Sequence, residues 1–318
     1  MLNPDTKKIK AIEQGVVIDQ AMLTATNKTV RTWYSLRRQF LPFYFLAPPK
    51  WRLKLRAASK KERMQANFSL LGAVRSGTTS LSEYIIQHPC VALPLTKEVK
   101  IGGLYSKRLV EAQLPTVSQQ RKIEDKYGKA ITGYCTPSMP HMLLPYLLKS
   151  LNKNMKVFVM LRDPVDRAFA HWRWDQEISQ RFFRDPLFEH VPNFSTLIEL
   201  EIQGMLNHAN TQTVQVSGVG GGYLQHSNYL PFVAKLIETF GRENIMFINS
   251  SDFFKDPLKV VNDIYQVLEL PEYIPQAVPV KNAGRKANLD SEVEEKLRNF
   301  FQPINEKLFD LIGEEYDW

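Results

Sequence analysis

The stretch that decides the fold runs from residue 68 to residue 81: Phe68-Ser-Leu-Leu-Gly-Ala-Val-Arg-Ser-Gly-Thr-Thr-Ser-Leu81. Its apolar start predicts a buried strand, and the chain then turns at Gly72 and Gly77 into a helix over Ser80–Gln87. The first backbone N–H groups of a helix have no partner within the helix, so they readily bind an anion. The stretch therefore predicts a strand, loop and helix that together hold a phosphate.

The position of the cation in this loop differs from that in a nucleoside triphosphate site. A Walker A loop reads G-x-x-x-x-G-K-[ST], and Gly72 and Gly77 keep that spacing while Thr78 stands in the lysine position. The loop's cation is Arg75, two residues before Gly77. This pattern favours a phosphate other than the β- and γ-phosphates of ATP or GTP.

A second apolar run, Lys156–Leu161, is typical of a strand buried on both faces of a parallel sheet. Arg162 follows it directly, where a Walker B strand would place an acid that binds magnesium. Pro164 suits the first turn of a helix, with Asp163 as its N-cap. Because open α/β sheets bind ligands at the carboxyl ends of their strands, Arg162 predicts a second, metal-free phosphate site.

Both loops resemble the two cofactor loops of sulfotransferases that use 3′-phosphoadenosine-5′-phosphosulfate (PAPS), in the style of the heparan sulfate branch. Further segments in the same order carry the resemblance over residues 67–318. They are Lys97-Glu-Val-Lys100, Asp252-Phe-Phe-Lys-Asp-Pro257, Gly284-Arg285 and the stretch Phe300–Trp318. The resemblance implies transfer of a sulfuryl group, with adenosine 3′,5′-bisphosphate as the second product and without a metal ion.

The resemblance also implies which residues do the chemistry. Arg75 would neutralise the charge that develops on the leaving phosphate, and Glu98 would be the general base for the acceptor. The 5′-phosphate would be held by backbone N–H groups and hydroxyls of Ser76, Gly77, Thr78, Thr79 and Ser80. Three alternatives stay open: Arg75 as an exposed turn residue, Glu98 as a surface partner of Lys97 or Lys100, and His171 as a rival base.

Arg162 would bind the 3′-phosphate, but the serine that the family places eight residues later is Ala170 here. Candidates for its replacement in the late loop are Arg285, Lys281 and Lys286, and Gly284 of the same loop is also expected to bind the cofactor. Arg167 is expected to pair with Asp163 or Asp166. Glu98, Lys100 and Trp172 are the residues expected at the acceptor. Trp172 and Trp174 cannot share one helix face, so at most one of them reaches it.

Charge divides the chain into two regions. Residues 1–66 contain 14 Lys/Arg and 4 Asp/Glu, a net +10, which leaves −2 for residues 67–318 out of the total of +8. We interpret residues 1–66 as a basic helical N-terminal extension and residues 67–318 as the sulfotransferase domain. The extension is predicted to be a packed cap, with a lid over the acceptor or a contact with a membrane or polyanion as alternatives.

Alternating patterns in residues 67–318 predict an α/β, P-loop-containing, three-layer fold with a central parallel sheet flanked by helices. Strands are predicted at Phe68–Ala73, Ala130–Tyr134, Lys156–Leu161 and Asn244–Asn249. Helices are predicted at Ser80–Gln87, Met139–Lys149, Val165–Gln176, Phe194–Glu201, Ser227–Phe240, Pro257–Leu268 and Asp290–Ile312. In the extension, helices are predicted at Lys8–Thr26, Val30–Phe40 and Trp51–Met64.

Two cysteines, Cys90 and Cys135, are expected to be reduced thiols in or near the core, which favours a cytoplasmic location. The first twenty residues lack a signal-peptide pattern. The apolar run at residues 40–47 is too short to span a bilayer, so no integral membrane association is expected. No metal-ligand spacing and no nucleic-acid-binding module is recognisable.

The acceptor is the least constrained part of this prediction. We expect a small-molecule natural product, and the guanidinium alkaloids of the saxitoxin type are one candidate class. A glycan or polysaccharide acceptor is the alternative within the same chemistry. An ATP-dependent P-loop kinase and a nucleotide-binding module without catalysis are the alternatives outside it. The oligomeric state does not follow from the sequence.

Overall fold

The computed structural model describes residues 29, 32, 50–99, 101, 106–137, 142–182, 193–207, 222–278 and 288–318. Most of residues 1–49 therefore lie outside the description, including the helices predicted at Lys8–Thr26 and Val30–Phe40.

A four-stranded parallel sheet forms the centre of the described region. Its strands are β1 Phe68–Gly72, β2 Gly133–Thr136, β3 Lys156–Leu161 and β4 Ile245–Asn249, in the spatial order β2-β1-β3-β4. Every residue of β3 after Lys156 is buried, as its unbroken apolar sequence predicts. The predicted α/β class with a central parallel sheet is confirmed.

Helices cover both faces of the sheet and make the fold three-layered. They are α1 Lys50–Ala58, α2 Thr78–Ile85, α3 Lys107–Glu111, α4 Val117–Tyr127, α5 Leu144–Leu151, α6 Pro164–Phe182, α7 Phe194–Asn207, α8 Tyr223–Ser227, α9 Leu230–Phe240, α10 Ser250–Lys255, α11 Pro257–Val267 and α12 Ser291–Ile312. Alternate residues of β3 enter different cores. Val157 and Val159 pack with α5 and α9, while Phe158 and Met160 pack with α2 and α11. This alternation is the period of two expected of a strand.

The strand order creates a crevice between two adjacent strands. From β1 the sheet continues through β2 on one side, and from β3 it continues through β4 on the other. Such a switch point opens beyond the carboxyl ends of the strands and is the usual ligand site of an open α/β sheet. The loops that carry Arg75 and Arg162 leave β1 and β3 at this edge.

Several element bounds differ from the predicted ones. The helix predicted over Ser227–Phe240 begins later, at Leu230, because the chain turns at Asn228 and Pro231 then lies in the first turn of α9. The helix predicted over Trp51–Met64 ends at Ala58, since Arg63 and Met64 instead pair with the segment at Thr116. β2 begins three residues later than predicted.

Four described helices were not predicted: α3, α4, α8 and α10. For α4 the sequence did carry a signal. Thr116 and Gln119 form a capping box, in which each side chain accepts a hydrogen bond from the other residue's backbone N–H. Cys90 and Cys135 are both buried, as expected, and do not form a disulfide with each other.

Candidate active site

The loop after β1 is held in a conformation that only some residues tolerate. Arg75 and Gly77 both have left-handed backbone angles, with φ of 78° and 100°. A Cβ added to Gly77 would lie 2.7 Å from Cζ of Phe254, and one added to Gly72 would lie 2.2 Å from Cγ2 of Thr78. The two glycines that define the spacing are therefore required by close packing, and Gly77 also by its backbone angle.

Unsatisfied polar groups line the start of α2. Gly77 caps this helix and has no side chain, so no side chain at the cap position accepts a hydrogen bond from the N–H groups of the first turn. The hydroxyls of Ser76 and Ser80 are buried and have no hydrogen-bond partner among the described residues. Buried polar groups of this kind normally have a partner. A bound phosphate would supply it, so these residues fit the predicted 5′-phosphate.

Arg75 lies against an aromatic ring at the mouth of the loop. Its guanidinium carbon is 4.4 Å from the ring centroid of Trp174. Burial, and next the charge of Arg162, lower the pKa of Arg75 to about 10, so the side chain stays charged at neutral pH. Stacking on the indole narrows the directions that the guanidinium adopts.

Arg162 reaches across from β3 and contacts the first loop. Its Nη1 donates to the carbonyl oxygen of Arg75 at 3.0 Å, and its Nη2 lies 3.7 Å from a carboxylate oxygen of Asp166. Tyr229 donates to the carbonyl oxygen of Arg162 at 2.9 Å. The N-cap is confirmed as well, because the Val165 N–H donates to Oδ1 of Asp163 at 2.8 Å. The two predicted phosphate loops are thus in direct contact.

Arg167, which is fully buried beneath the two loops, donates hydrogen bonds to the segments that pack around them. Arg167 donates to Oγ of Ser227 at 2.7 Å, to the carbonyl oxygen of Tyr223, and to that of Val74 at 3.4 Å. The prediction that its side chain pairs with Asp163 or Asp166 was wrong. Burial lowers the pKa of Arg167 to about 10. Backbone carbonyls and a hydroxyl satisfy the guanidinium here in place of a carboxylate.

Glu98 lies beside the loop because its segment runs along the edge of the sheet. Its backbone forms a parallel bridge with Cys135 of β2. The neighbouring Lys97 is buried, and its Nζ donates to Oγ1 of Thr79 at 2.7 Å and to Oε1 of Glu98 at 3.2 Å. The Glu98 side chain keeps 41% of its surface exposed. Lys97 therefore links the partly exposed carboxylate of Glu98, through two hydrogen bonds, to Thr79 at the start of α2.

His171 has the environment of a structural residue. Nη1 of Arg167 lies 3.3 Å from its Nδ1, and its ring packs edge-on against Tyr223. Burial, and then the charge of Arg167, lower the pKa of His171 to about 3. The imidazole is neutral at working pH and is already engaged, which favours Glu98 over His171 as the base.

The aromatic residue that covers Arg75 is Trp174 rather than Trp172. The ring of Trp172 packs against Phe169 and Phe194, at centroid distances of 5.7 and 5.4 Å, in the core shared by α6 and α7. Trp174 points to the loop instead and covers Arg75. Trp172 and Trp174 are two positions apart on α6 and therefore face different directions. The expected role of Trp172 at the acceptor stays a prediction.

Five of the residues predicted from sequence lie outside the described part of the chain: Lys100, Lys281, Gly284, Arg285 and Lys286. Their roles stay predictions. Sequence reasoning did not identify three residues that the structure adds to the site. These are Ser250, which donates to the carbonyl oxygen of Ser76 at 2.7 Å, Lys97 as a buried contact, and Trp174 as the cover of Arg75.

Comparison with known proteins gives a consistent family. A family model of the sulfotransferase domain matches residues 66–303. The membrane-associated sulfotransferase kil1 of Dictyostelium discoideum is 23% identical over 316 residues, covering 79% of this chain and 66% of that protein. Human heparan sulfate glucosamine 3-O-sulfotransferase 3A1 is 21% identical over 299 residues, covering 86% and 66%. The chain thus spans 66% of the length of each of these relatives.

A solved structure supports the fold. A sulfotransferase from Alicyclobacillus acidocaldarius superposes with a TM-score of 0.55 at 21% identity, over 80% of this chain and 98% of that one.

Proposed function

Since this chain belongs to the sulfotransferase family, we propose that it transfers a sulfuryl group from PAPS to a hydroxyl or amine of a small-molecule acceptor. One observation carries the proposal. Arg75 and Arg162 follow adjacent strands and are joined by a 3.0 Å hydrogen bond, beside a helix start that no side chain caps and two buried hydroxyls that have no partner among the described residues. Two phosphate-binding loops in contact suit a nucleotide that is phosphorylated at two positions.

Each loop would hold one end of the donor. Ser76, Thr78, Thr79 and Ser80 offer hydroxyls and backbone N–H groups to the 5′-phosphosulfate, and Arg162 offers its guanidinium to the 3′-phosphate. When bound, PAPS would supply the sulfuryl group in activated form, and adenosine 3′,5′-bisphosphate would remain. The hydrogen bond from Arg162 to the Arg75 carbonyl oxygen fixes the position of the two binding loops relative to each other.

Arg75 and Glu98 would perform complementary tasks. Arg75, charged at neutral pH and fixed by Trp174, would neutralise the negative charge that develops on the phosphate. Glu98 would take the proton of the attacking group, since its carboxylate is partly exposed and attached to the loop through Lys97. Lys97 would fix the orientation of both Thr79 and Glu98, because an ammonium group only donates hydrogen bonds.

Acidic residues support a cationic acceptor, such as a guanidinium alkaloid. Asp175 and Glu177 on α6 both lie close enough to Arg75 to influence its pKa. Asp175 accepts a hydrogen bond of 2.9 Å from the Tyr223 hydroxyl, which fixes one of its oxygens. The near-neutral charge of residues 67–318 disfavours a long polyanionic acceptor.

A glycan acceptor is the second candidate. It is supported by the relative that acts on heparan sulfate glucosamine. An assay with labelled PAPS would separate the two candidates. Transfer of labelled sulfate is measured to alkaloid, phenolic and glycan acceptors, and only the true acceptor class should become labelled when the acceptor concentration is low. We also propose a cytoplasmic location, for which the two free buried cysteines are the support.

Calorimetry with adenosine 3′,5′-bisphosphate and with ATP, in the absence of magnesium, tests the donor. We expect binding of the bisphosphate and much weaker binding of ATP. Preferred binding of ATP with a magnesium requirement would indicate a kinase and overturn the proposal. Bisphosphate binding without transfer to any acceptor class would favour a nucleotide-binding module without catalysis.

A further inference from the structure

Helix α1, outside the crevice, exposes apolar and basic side chains on one face. Trp51 is 49% exposed and Leu55 is 63% exposed, and they lie one turn apart on the same side of the helix. Lys54, between them in the sequence, is exposed as well. We call this face, together with residues 59–63 and the start of α3, the α1 surface.

The α1 surface is fixed to the domain by contacts of the opposite side of the helix. Leu53 is buried. Nε and Nη2 of Arg56 donate to the carbonyl oxygens of Ala112 and Leu114, both at 2.7 Å, and Nε of Arg108 donates to that of Ala57 at 2.7 Å. Tertiary contacts therefore hold Trp51 and Leu55 outward.

Positive charge on the α1 surface is poorly neutralised. Residues 50–63 contain seven Lys/Arg and a single acid, Glu62. Within the described residues, no acid forms an ion pair with Arg52, Lys54, Lys60 or Lys61. Burial, and then the charges of Arg63 and Arg52, lower the pKa of Arg56 to about 10. These cations repel one another and would be stabilised by an anion.

A cleft of about 470 Å³ opens between the end of α1, residues 59–66 and the start of α3, and Lys60 and Lys61 lie on its rim. Its charged lining is mostly basic and consists of Arg56, Lys60, Lys61, Arg63, Lys107 and Arg108, with Glu62 and Glu111 as the acids. Glu111 already lies 3.9 Å from Lys107. The cleft is therefore large enough for a phosphate-bearing headgroup, and its net positive charge would attract one.

We propose that the α1 surface docks onto the anionic phospholipid surface of a membrane. Cations alone would suit any polyanion, but a soluble polyanion would leave Trp51 and Leu55 in water. A bilayer interface receives both kinds of group, because the headgroups attract Lys and Arg while the acyl boundary takes up tryptophan and leucine. This docking does not depend on the sulfotransfer activity.

Sedimentation with vesicles tests the docking of the full chain. We expect binding to vesicles of phosphatidylcholine and phosphatidylserine in a two-to-one ratio, weak binding to pure phosphatidylcholine, and loss of binding at high salt. Reversal of three charges, Lys54→Glu, Lys60→Glu and Lys61→Glu, should weaken binding by roughly 100-fold. The matched control reverses three exposed lysines elsewhere: Lys122, Lys255 and Lys307.

A second pair of variants tests the apolar residues of the α1 surface. Trp51→Ser with Leu55→Ser should weaken vesicle binding by about tenfold or more, while Leu258→Ser with Ile274→Ser, which alters exposed apolar residues elsewhere, should not. Both pairs should keep the circular dichroism spectrum and the bisphosphate affinity of the parent chain. Binding to heparin that survives loss of Trp51 and Leu55, without vesicle binding, would overturn the membrane proposal in favour of a soluble polyanion. Equal weakening by test and control variants would also overturn it.

Discussion

The loops after β1 and β3 each carry an arginine to the same crevice, but they place it in different surroundings. Arg75 stacks on Trp174 in a left-handed backbone conformation, and the helix that follows its loop binds a buried lysine, Lys97, which pairs with the partly exposed Glu98. Arg162 has regular surroundings, with a carbonyl and Asp166 as partners. The buried Arg167 supports its loop through Ser227, whose hydroxyl donates to the carbonyl oxygen of Pro164. Strained backbone and clustered charges occur typically where chemistry takes place.

This difference indicates a division of tasks within one crevice. The end at β1, with Arg75, Lys97 and Glu98, would act on the transferred group. The end at β3, with Arg162 and Arg167, would hold the nucleotide. Variants of the first end should change turnover with little effect on nucleotide affinity, and variants of the second end should do the reverse.

The largest effect is expected for Glu98→Gln. Removal of the general base should lower turnover by about 10²–10⁴-fold, while the affinity for adenosine 3′,5′-bisphosphate stays close to that of the parent chain. Transfer of labelled sulfate and calorimetry measure the two quantities. The control is Glu269→Gln, which removes an exposed carboxylate paired with Lys129. A parallel loss of nucleotide affinity would place Glu98 at the holding end.

Replacement of Arg75 should come next. Arg75→Ala is expected to lower turnover by ~10²–10³-fold, because it removes a charge that acts mainly in the transition state. Arg75→Lys should retain part of the activity, since it keeps the charge and loses the planar stacking on Trp174. Steady-state rates for both variants provide the measurement. Equal activity of the alanine and parent chains would contradict the role of the first end.

Arg162→Gln should weaken nucleotide binding rather than chemistry. Loss of a hydrogen bond to a charged group costs about 1.5–3 kcal/mol, or roughly 10–100-fold in affinity for adenosine 3′,5′-bisphosphate. Adenosine 5′-monophosphate lacks the 3′-phosphate, so its affinity should not change. Titration of both nucleotides decides the matter, and equal weakening of the two would show that Arg162 acts through the loop rather than on the phosphate.

A double-mutant cycle tests the link between Lys97 and Thr79. The 2.7 Å hydrogen bond joins the segment of the base to the phosphate loop. Lys97→Met and Thr79→Val should therefore show a coupling of about 0.5–3 kcal/mol in turnover. The same cycle between Lys97 and the distant Thr239 is the control. Additive losses for Lys97 and Thr79 would mean that the loop and Glu98 work independently.

The smallest effect concerns stability against pH. His171 and His226 have pKa values of about 3 and about 4 in the folded chain, because burial and then the charge of Arg167 disfavour protonation. Both values lie below the ordinary value of about 6.5. The unfolded chain thus binds protons that the folded chain does not, so this stability is complete above about pH 6.5 and falls as the pH is lowered.

Urea unfolding at several pH values measures this slope. His226→Gln should reduce it, because one of the two titrating groups is then missing. The range above about pH 5 is the useful one, since burial raises the pKa of Asp175 and that carboxyl acts in the opposite sense at lower pH. An unchanged slope in the variant would mean that His226 titrates normally in the folded chain.

The sequence by itself predicted the four strands and the two loops at their carboxyl ends. Lys156–Leu161 was predicted with both of its bounds, and the spacing of Gly72 and Gly77 predicted the phosphate loop. These features are local, because an apolar run and a glycine pair act through the residues next to them. Arg75 and Arg162 could therefore be named from their places in the pattern, and Glu98 from the family resemblance; the roles of all three stay predictions.

Only the tertiary structure decided which side chains meet. The buried contact of Lys97 with Thr79 joins positions 18 apart, and that of Arg162 with the Arg75 carbonyl joins positions 87 apart. The choice of Trp174 over Trp172, and of Ser227 as a partner of Arg167, likewise followed from packing between elements. Periodicity fixes which face of an element is buried, but the neighbours on that face depend on how the whole sheet and its helices assemble.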